Sequence, residues 1–253
     1  MKWFAAQCPI SDELKSWIEK SSSWLVKLLD VSLDQVTVIL PNEEFFPDVY
    51  RAREEDVEAL LGRVCAYMGV GRERLTLEIF SDEHRELRHL LPIFESRGRG
   101  AAGQYENVEE GSITIRLSAN NLNDPMSLVA TIAHELGHVL LLADAKVARD
   151  RKDQEFLTDL VTVLLGLGVF TANSAFKFRQ WSGGFKQGWE SKRLGYLTEP
   201  MFGYALAWFA RARQEKNPAW AQYLEGDARH YFKSSMRYLQ RSASQEFKAP
   251  GML

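Results

Sequence analysis

The sequence predicts an α+β protein with a small mixed β-sheet in its amino-terminal part and a mainly helical carboxy-terminal part. Three observations carry this. Strand-like stretches at Leu75 to Phe80 and Ser112 to Leu117 lie among segments of helical spacing. The run His134-Glu135-Leu136-Gly137-His138 sits in an apolar stretch, Leu128 to Leu142, that no proline interrupts. The carboxy-terminal third reads as successive helices. A sheet-free all-α protein is the competing reading.

Taken in order, Asp12 to Leu29 has apolar residues at Leu14, Trp17, Ile18, Trp24, Leu25 and Leu28, mostly at helical spacing. Val36 to Leu40 is a β-branched run ended by Pro41, of strand-like composition. Helical spacing returns from Glu54 to Met68 through Val57, Leu60, Leu61 and Val64. Leu75 to Phe80 alternates as a strand does. A Gly-rich stretch from Gly98 to Gly103 and Tyr105, the turn residues Glu109-Glu110-Gly111, and the alternating Ser112 to Leu117 together predict a hairpin. It feeds a helix that starts near Asp124-Pro125. Farther on, Leu197-Thr198-Glu199-Pro200 is a helix start with Thr198 at the N-cap, and that helix runs to about Arg213. Asn217-Pro218 starts another helical stretch, and Asp227 to Leu239 forms a third. The aromatics between Trp181 and Tyr238 read as packing between these helices.

The chemistry concentrates in the central apolar helix. His134 and His138 are one turn apart on one face, so both imidazoles reach a single metal ion. Glu135 lies about 100° round the helix from His134, beside the metal rather than on it. Charged and polar groups in so apolar a helix need a partner, because burying them unpaired costs several kcal/mol. A metal supplies one.

Catalytic zinc sites use three protein ligands and keep one position open. The chain's two cysteines, Cys8 and Cys65, are far apart, and only His84, His89 and His230 remain besides the motif pair. A better third ligand comes 17 residues after His138, where Glu155-Phe156-Leu157-Thr158-Asp159 opens the apolar stretch Leu160 to Ala172. Glu155 and Asp159 share a helix face, and the loop from Lys146 to Asp153 is long enough to turn this helix back antiparallel to the first. Glu155 is then delivered to the metal, while Asp159 is placed to hold a ligand imidazole by its outer N–H. Asp144 and Asp159 are alternative ligands, and a solvated helix start is the ordinary alternative reading of Glu155 and Asp159.

With H-E-x-x-H at residues 134 to 138 and E-x-x-x-D at 155 to 159, the chain resembles the gluzincins, the thermolysin-like branch of the zincin metallopeptidases. The resemblance covers Leu117 to Ala172 and looks most like the compact, stand-alone members. It is unlike the metzincin branch, which needs a glycine and a histidine where this chain has Leu141 and Asp144. It implies a zinc-dependent peptidase with His134, His138 and Glu155 as ligands and Asp159 behind them. Glu135 is then the general base, taking a proton from a metal-activated water as it attacks the peptide carbonyl. The histidines ligate only when neutral, so activity is expected to fall below about pH 6. Gluzincins generally steady the developing oxyanion with a Tyr or His, for which this chain offers Tyr196, Tyr204 or His230; Tyr196, in a loop at a helix start, is the favoured one. The hairpin occupies the place of the edge strand that binds substrate backbone in zincins. The implied architecture is one compact catalytic unit. Residues 1–143 form an upper α/β lobe with the edge hairpin and the motif helix, and residues 144–253 a helical lower lobe carrying the third ligand.

Composition is that of an ordinary soluble globular protein. Of 253 residues 45% are apolar and 26% charged, and the net charge of −3 offers no general attraction to nucleic acid or anionic membranes. Arg97 and Arg99 beside Tyr105 are too few to suggest RNA contact. No secretory signal core follows Met1, and the uncharged run from Leu160 to Phe176 is too short to span a bilayer. With two unpaired cysteines, a cytoplasmic protein acting on a peptide or protein substrate is expected. A zincin-fold metal-binding regulator with little turnover is the alternative, but such a protein usually loses the general-base glutamate, and Glu135 is intact.

Overall fold

In a computed structural model, which describes residues 7–80, 103–107, 113–143, 146–148, 150–181 and 196–246, the chain folds as a mixed α+β protein. Helix α1 (Asp12–Leu28) starts where the Ser11 hydroxyl accepts the Leu14 N–H, with Asp12 and Glu13 in the first turn. Helix α2 (Glu54–Met68) opens with the Asp56 carboxylate accepting the Arg51 and Arg53 N–H groups. It ends at Gly69, whose φ of 67° takes the left-handed position that stops a helix. Three strands follow: β1 (Leu75–Phe80), β2 (Gly103–Asn107) and β3 (Ile113–Ser118).

The sheet order is β1-β3-β2. Strand β1 runs parallel to β3 in the register Leu75↔Ile113 to Phe80↔Ser118, and β2 runs antiparallel to β3 from Gly103↔Leu117 to Asn107↔Ile113. Alternation on β3 buries Ile113, Ile115 and Leu117 in the core. On the other face Arg116 donates to Glu78, its direct cross-strand partner, at 2.7 Å. Strands β2 and β3 pair antiparallel, as the expected hairpin requires; the turn expected at Glu109 to Gly111 and the glycines from Gly98 to Gly100 lie outside the described residues.

Helix α3 (Pro125–His138) is the hub of the fold. Asp124 caps it by accepting the Ser127 N–H at 3.1 Å and its hydroxyl at 2.9 Å, and Pro125 fills the first turn. It packs against α2, β2, β3 and the two helices that follow, so every residue from Ser127 to His138 is buried. Pro125 to Leu142 is long and apolar enough to cross a membrane, with a mean hydropathy of 1.3, but 83% of it is buried inside this fold. The apolar stretch is therefore core.

The remaining helices are α4 (Gln154–Leu164), α5 (Gly168–Trp181), α6 (Glu199–Ala212) and α7 (Gly226–Glu246). Helices α6 and α7 pack together, and α1 lies against α4 and α6. The α1–α6 contact is fixed by the Tyr204 hydroxyl, which donates to Glu19 at 2.6 Å. Thr198 holds the N-cap position of α6 as expected, but its side chain makes no capping hydrogen bond. The helical stretch expected from Asn217-Pro218 is a single 3-10 turn, Ala219–Tyr223. Both cysteines are free thiols, with Cys65 buried.

Gly166 shapes two further segments. The apolar stretch Leu160 to Ala172 is two helices, because Gly166 at φ 86° ends α4. Val36 to Leu40, strand-like in composition, joins no sheet: the Ile39 N–H donates to the Gly166 carbonyl at 2.9 Å, and Arg213 donates to the Val36 carbonyl at 2.7 Å. These two backbone groups are satisfied by a helix end and a guanidinium rather than by a neighbouring strand. A Cβ on Gly166 would stand 2.2 Å from the Thr37 carbonyl oxygen. Gly166→Ala thus combines left-handed strain with a backbone clash and is expected to cost about 3 kcal/mol, read as a lowered denaturant midpoint at unchanged slope.

Candidate metal centre

Helix α3 carries His134, Glu135 and His138, and α4 crosses it closely enough to face them. The close crossing depends on Gly137, where a Cβ would meet the Thr158 methyl at 2.8 Å and the Thr158 carbonyl oxygen at 3.2 Å. Past His138 the helix widens into a π-turn over Val139–Ala143, a feature often found beside functional sites.

His134, His138 and Glu155 form a possible metal-binding triad whose ligand atoms all lie within 4.8 Å of one another. The Nε2 atoms of both rings converge on one oxygen: Glu155 Oε2 is 3.0 Å from His134 Nε2 and 3.2 Å from His138 Nε2. Ligands about 2.0–2.1 Å from a tetrahedral metal stand about 3.3 Å apart, so these separations fit one ion. Each ring is also held from behind. His134 Nδ1 lies 2.8 Å from Asp159 Oδ1. His138 Nδ1 lies 3.2 Å from the Thr158 hydroxyl oxygen, and that hydroxyl donates to the Gln154 carbonyl at 3.0 Å. The Thr158 oxygen is left to accept from His138 Nδ1–H, just as Asp159 accepts from His134. In its neutral form each ring then presents an Nε2 lone pair inward, as ligation requires.

The electrostatics favour a positive charge at this point. Burial disfavours a protonated His134, but its hydrogen bonds with Asp159 and Glu155 prevail and hold its pKa well above the ordinary imidazole range. Burial likewise opposes the Glu155 carboxylate, and the two histidines overcome it, holding that carboxyl well below its usual range. Glu135 behaves differently. Burial raises its carboxyl above the ordinary range, against the pull of His138 and His134.

Tyr196 precedes α6, with its ring centroid 5.1 Å from that of His134. Burial, then Glu155, Glu135 and Asp159, push its phenol well above 10, so it stays a proton donor at neutral pH. Tyr204 is fully buried against α1 and bonded to Glu19, away from the triad. His230 is exposed on α7 with its ring against Tyr231. Asp144, His84 and His89 lie outside the described residues.

Four parts of the site escaped the sequence reading: Gly137, Gln154, Thr158 and the Leu197 N–H, which donates to Asp159 Oδ2 at 2.8 Å. A signal existed for two of them. Gln154 and Thr158 repeat the four-residue spacing of Glu155 and Asp159 one position earlier, as His138 repeats His134 one turn later. The Gln154 side-chain amide does lie beside the His138 ring, 3.3 Å from Nδ1, while the Thr158 oxygen is the acceptor for Nδ1–H. No family model, curated protein or solved structure matches the chain.

Proposed function

We propose that the chain is a zinc-dependent metallopeptidase of the gluzincin type, hydrolysing peptide bonds in a peptide or protein substrate. The observation that carries this reading is the convergence of two imidazole Nε2 atoms and one Glu155 oxygen, with a buried carboxylate, Glu135, next in sequence but outside the triad. Two histidines and a glutamate are a donor set that zinc takes in catalytic sites with an open position. Zinc, when bound, would supply the Lewis acidity that activates a water and polarises the carbonyl.

The protein's own groups account for the rest. Glu135 accepts a proton from the attacking water and passes it to the leaving amine, a task helped by a carboxyl raised toward the working pH. The Tyr196 phenol, protonated and beside His134, donates to the oxygen that gains charge. Asp159 and Thr158 hold the two ligand rings in position. Among the described residues β2 pairs only with β3, so its other edge can take an extended substrate segment by strand addition.

Elemental analysis of the purified chain, alongside digestion of a degenerate peptide library, tests the reading. One zinc per chain is expected, with cleavage that stops on chelation and returns on adding zinc. A chain that binds zinc and cuts nothing removes the peptidase in favour of a binding role. A chain that takes up no metal removes the metal centre itself.

A further inference from the structure

Both carboxylate oxygens of Asp159 are engaged, and they hold different elements. Oδ1 lies 2.8 Å from His134 Nδ1 on α3, while Oδ2 accepts the Leu197 N–H at 2.8 Å from the segment that leads into α6. Asp159 is 4% exposed and Leu197 3%, so neither bond competes with bulk water. Leu197 directly follows Tyr196, whose ring lies 5.1 Å from His134. Residues 196 to 198 belong to no helix or strand, and the Thr198 side chain gives α6 no capping bond, so regular structure does not fix this segment.

We infer that Asp159 is a positioning residue for Tyr196 as well as for His134: one buried carboxylate on α4 sets both a metal-ligand ring and the segment that carries the phenol. The requirement for a carboxylate follows. An amide at this position has a single acceptor oxygen and meets only one of the two N–H groups, whereas a carboxylate meets both. Any displacement of α4 relative to α3 therefore moves the ring and the phenol together. The consequence for turnover rests on the peptidase reading; the placement of Tyr196 does not.

Amide hydrogen exchange on the full chain, with and without added zinc, tests the placement. In Asp159→Ala the Leu197 amide is expected to exchange about ten- to a hundredfold faster, the scale of a lost hydrogen bond to a charged acceptor, while amides inside α6 such as Leu206 keep their protection. His134→Ala removes the ring but leaves the Leu197 bond, so Leu197 stays protected there. Unchanged protection in Asp159→Ala, or an equal loss in His134→Ala, overturns the inference. Should Asp159→Ala fail to fold, an ester in place of the Tyr196–Leu197 peptide bond removes the N–H and leaves Asp159 and His134 intact. That protein is expected to keep its zinc stoichiometry and its KM. Its kcat falls to the level of Tyr196→Phe, and combining the two changes costs nothing more; a wild-type kcat overturns the inference. If the unmodified chain cuts no peptide, the peptidase reading fails, and the exchange rates still decide the role of Asp159.

Discussion

Glu155→Ala is expected to lower zinc affinity by more than about a hundredfold, because loss of an outer partner of a ligand already costs about 10- to 100-fold and Glu155 supplies a donor atom itself. Its Oε2 is the point on which His134 Nε2 and His138 Nε2 converge, at 3.0 and 3.2 Å. Without it the remaining donors are two neutral imidazoles, and the site loses the negative charge that favours a cation. Asp159→Ala gives the contrast: all three donors remain, one ring loses its anchor, and the loss should stay within about 10- to 100-fold. Competition against a chromophoric chelator measures both. Thermal unfolding gives a second reading, since zinc raises the Tm of a chain only insofar as it binds the folded form. A Glu155→Ala chain that still binds zinc like the unmodified one would pass the third-ligand role to Asp144 or Asp159.

How much of this was legible in the sequence varies with the range of the interaction that decides each element. Helix α3 and its cap at Asp124 are local facts: an N-cap residue, a proline in the first turn, and apolar residues on every side. Helix α2 and strand β1 were legible for the same reason, their apolar periodicity being complete within each segment. The pairing of α3 with α4 was legible because two carboxylates at helical spacing have few uses in an apolar helix. What remained hidden depends on contacts distant in sequence. Val36 to Leu40 has strand composition, and only the approach of Gly166 and Arg213 explains why it pairs with no strand. Gly137 reads as a filler position within the motif, yet its missing Cβ sets how near α4 comes to the histidines. The Leu197 N–H carries no side-chain signature at all, since any residue but proline donates it. That Tyr204 turns to Glu19, away from the triad, likewise depends on the packing of α6 on α1, which no local pattern records.

Glu135→Gln is expected to leave zinc bound at one per chain and to cut the rate of peptide cleavage by about 10²- to 10⁴-fold, the usual contribution of a general base. The substitution keeps the shape of a side chain that is 5% exposed and takes away only its capacity to accept a proton. His134, His138 and Glu155 are untouched, as are the bonds from Asp159 and Thr158 that orient the rings. The fold should tolerate it, because the carboxylate is itself unfavourable there: burial raises the Glu135 carboxyl, so a neutral amide of the same size relieves desolvation. A stability equal to or slightly above that of the unmodified chain, together with full zinc content and lost cleavage, assigns Glu135 to the chemistry rather than to the structure. The combination matters because each part alone is ambiguous. Lost cleavage with lost zinc would mean that the residue supports the metal, and retained cleavage would place the base elsewhere. Stability at the expense of activity marks a residue kept for what it does to substrate, and Glu135 is expected to show that trade.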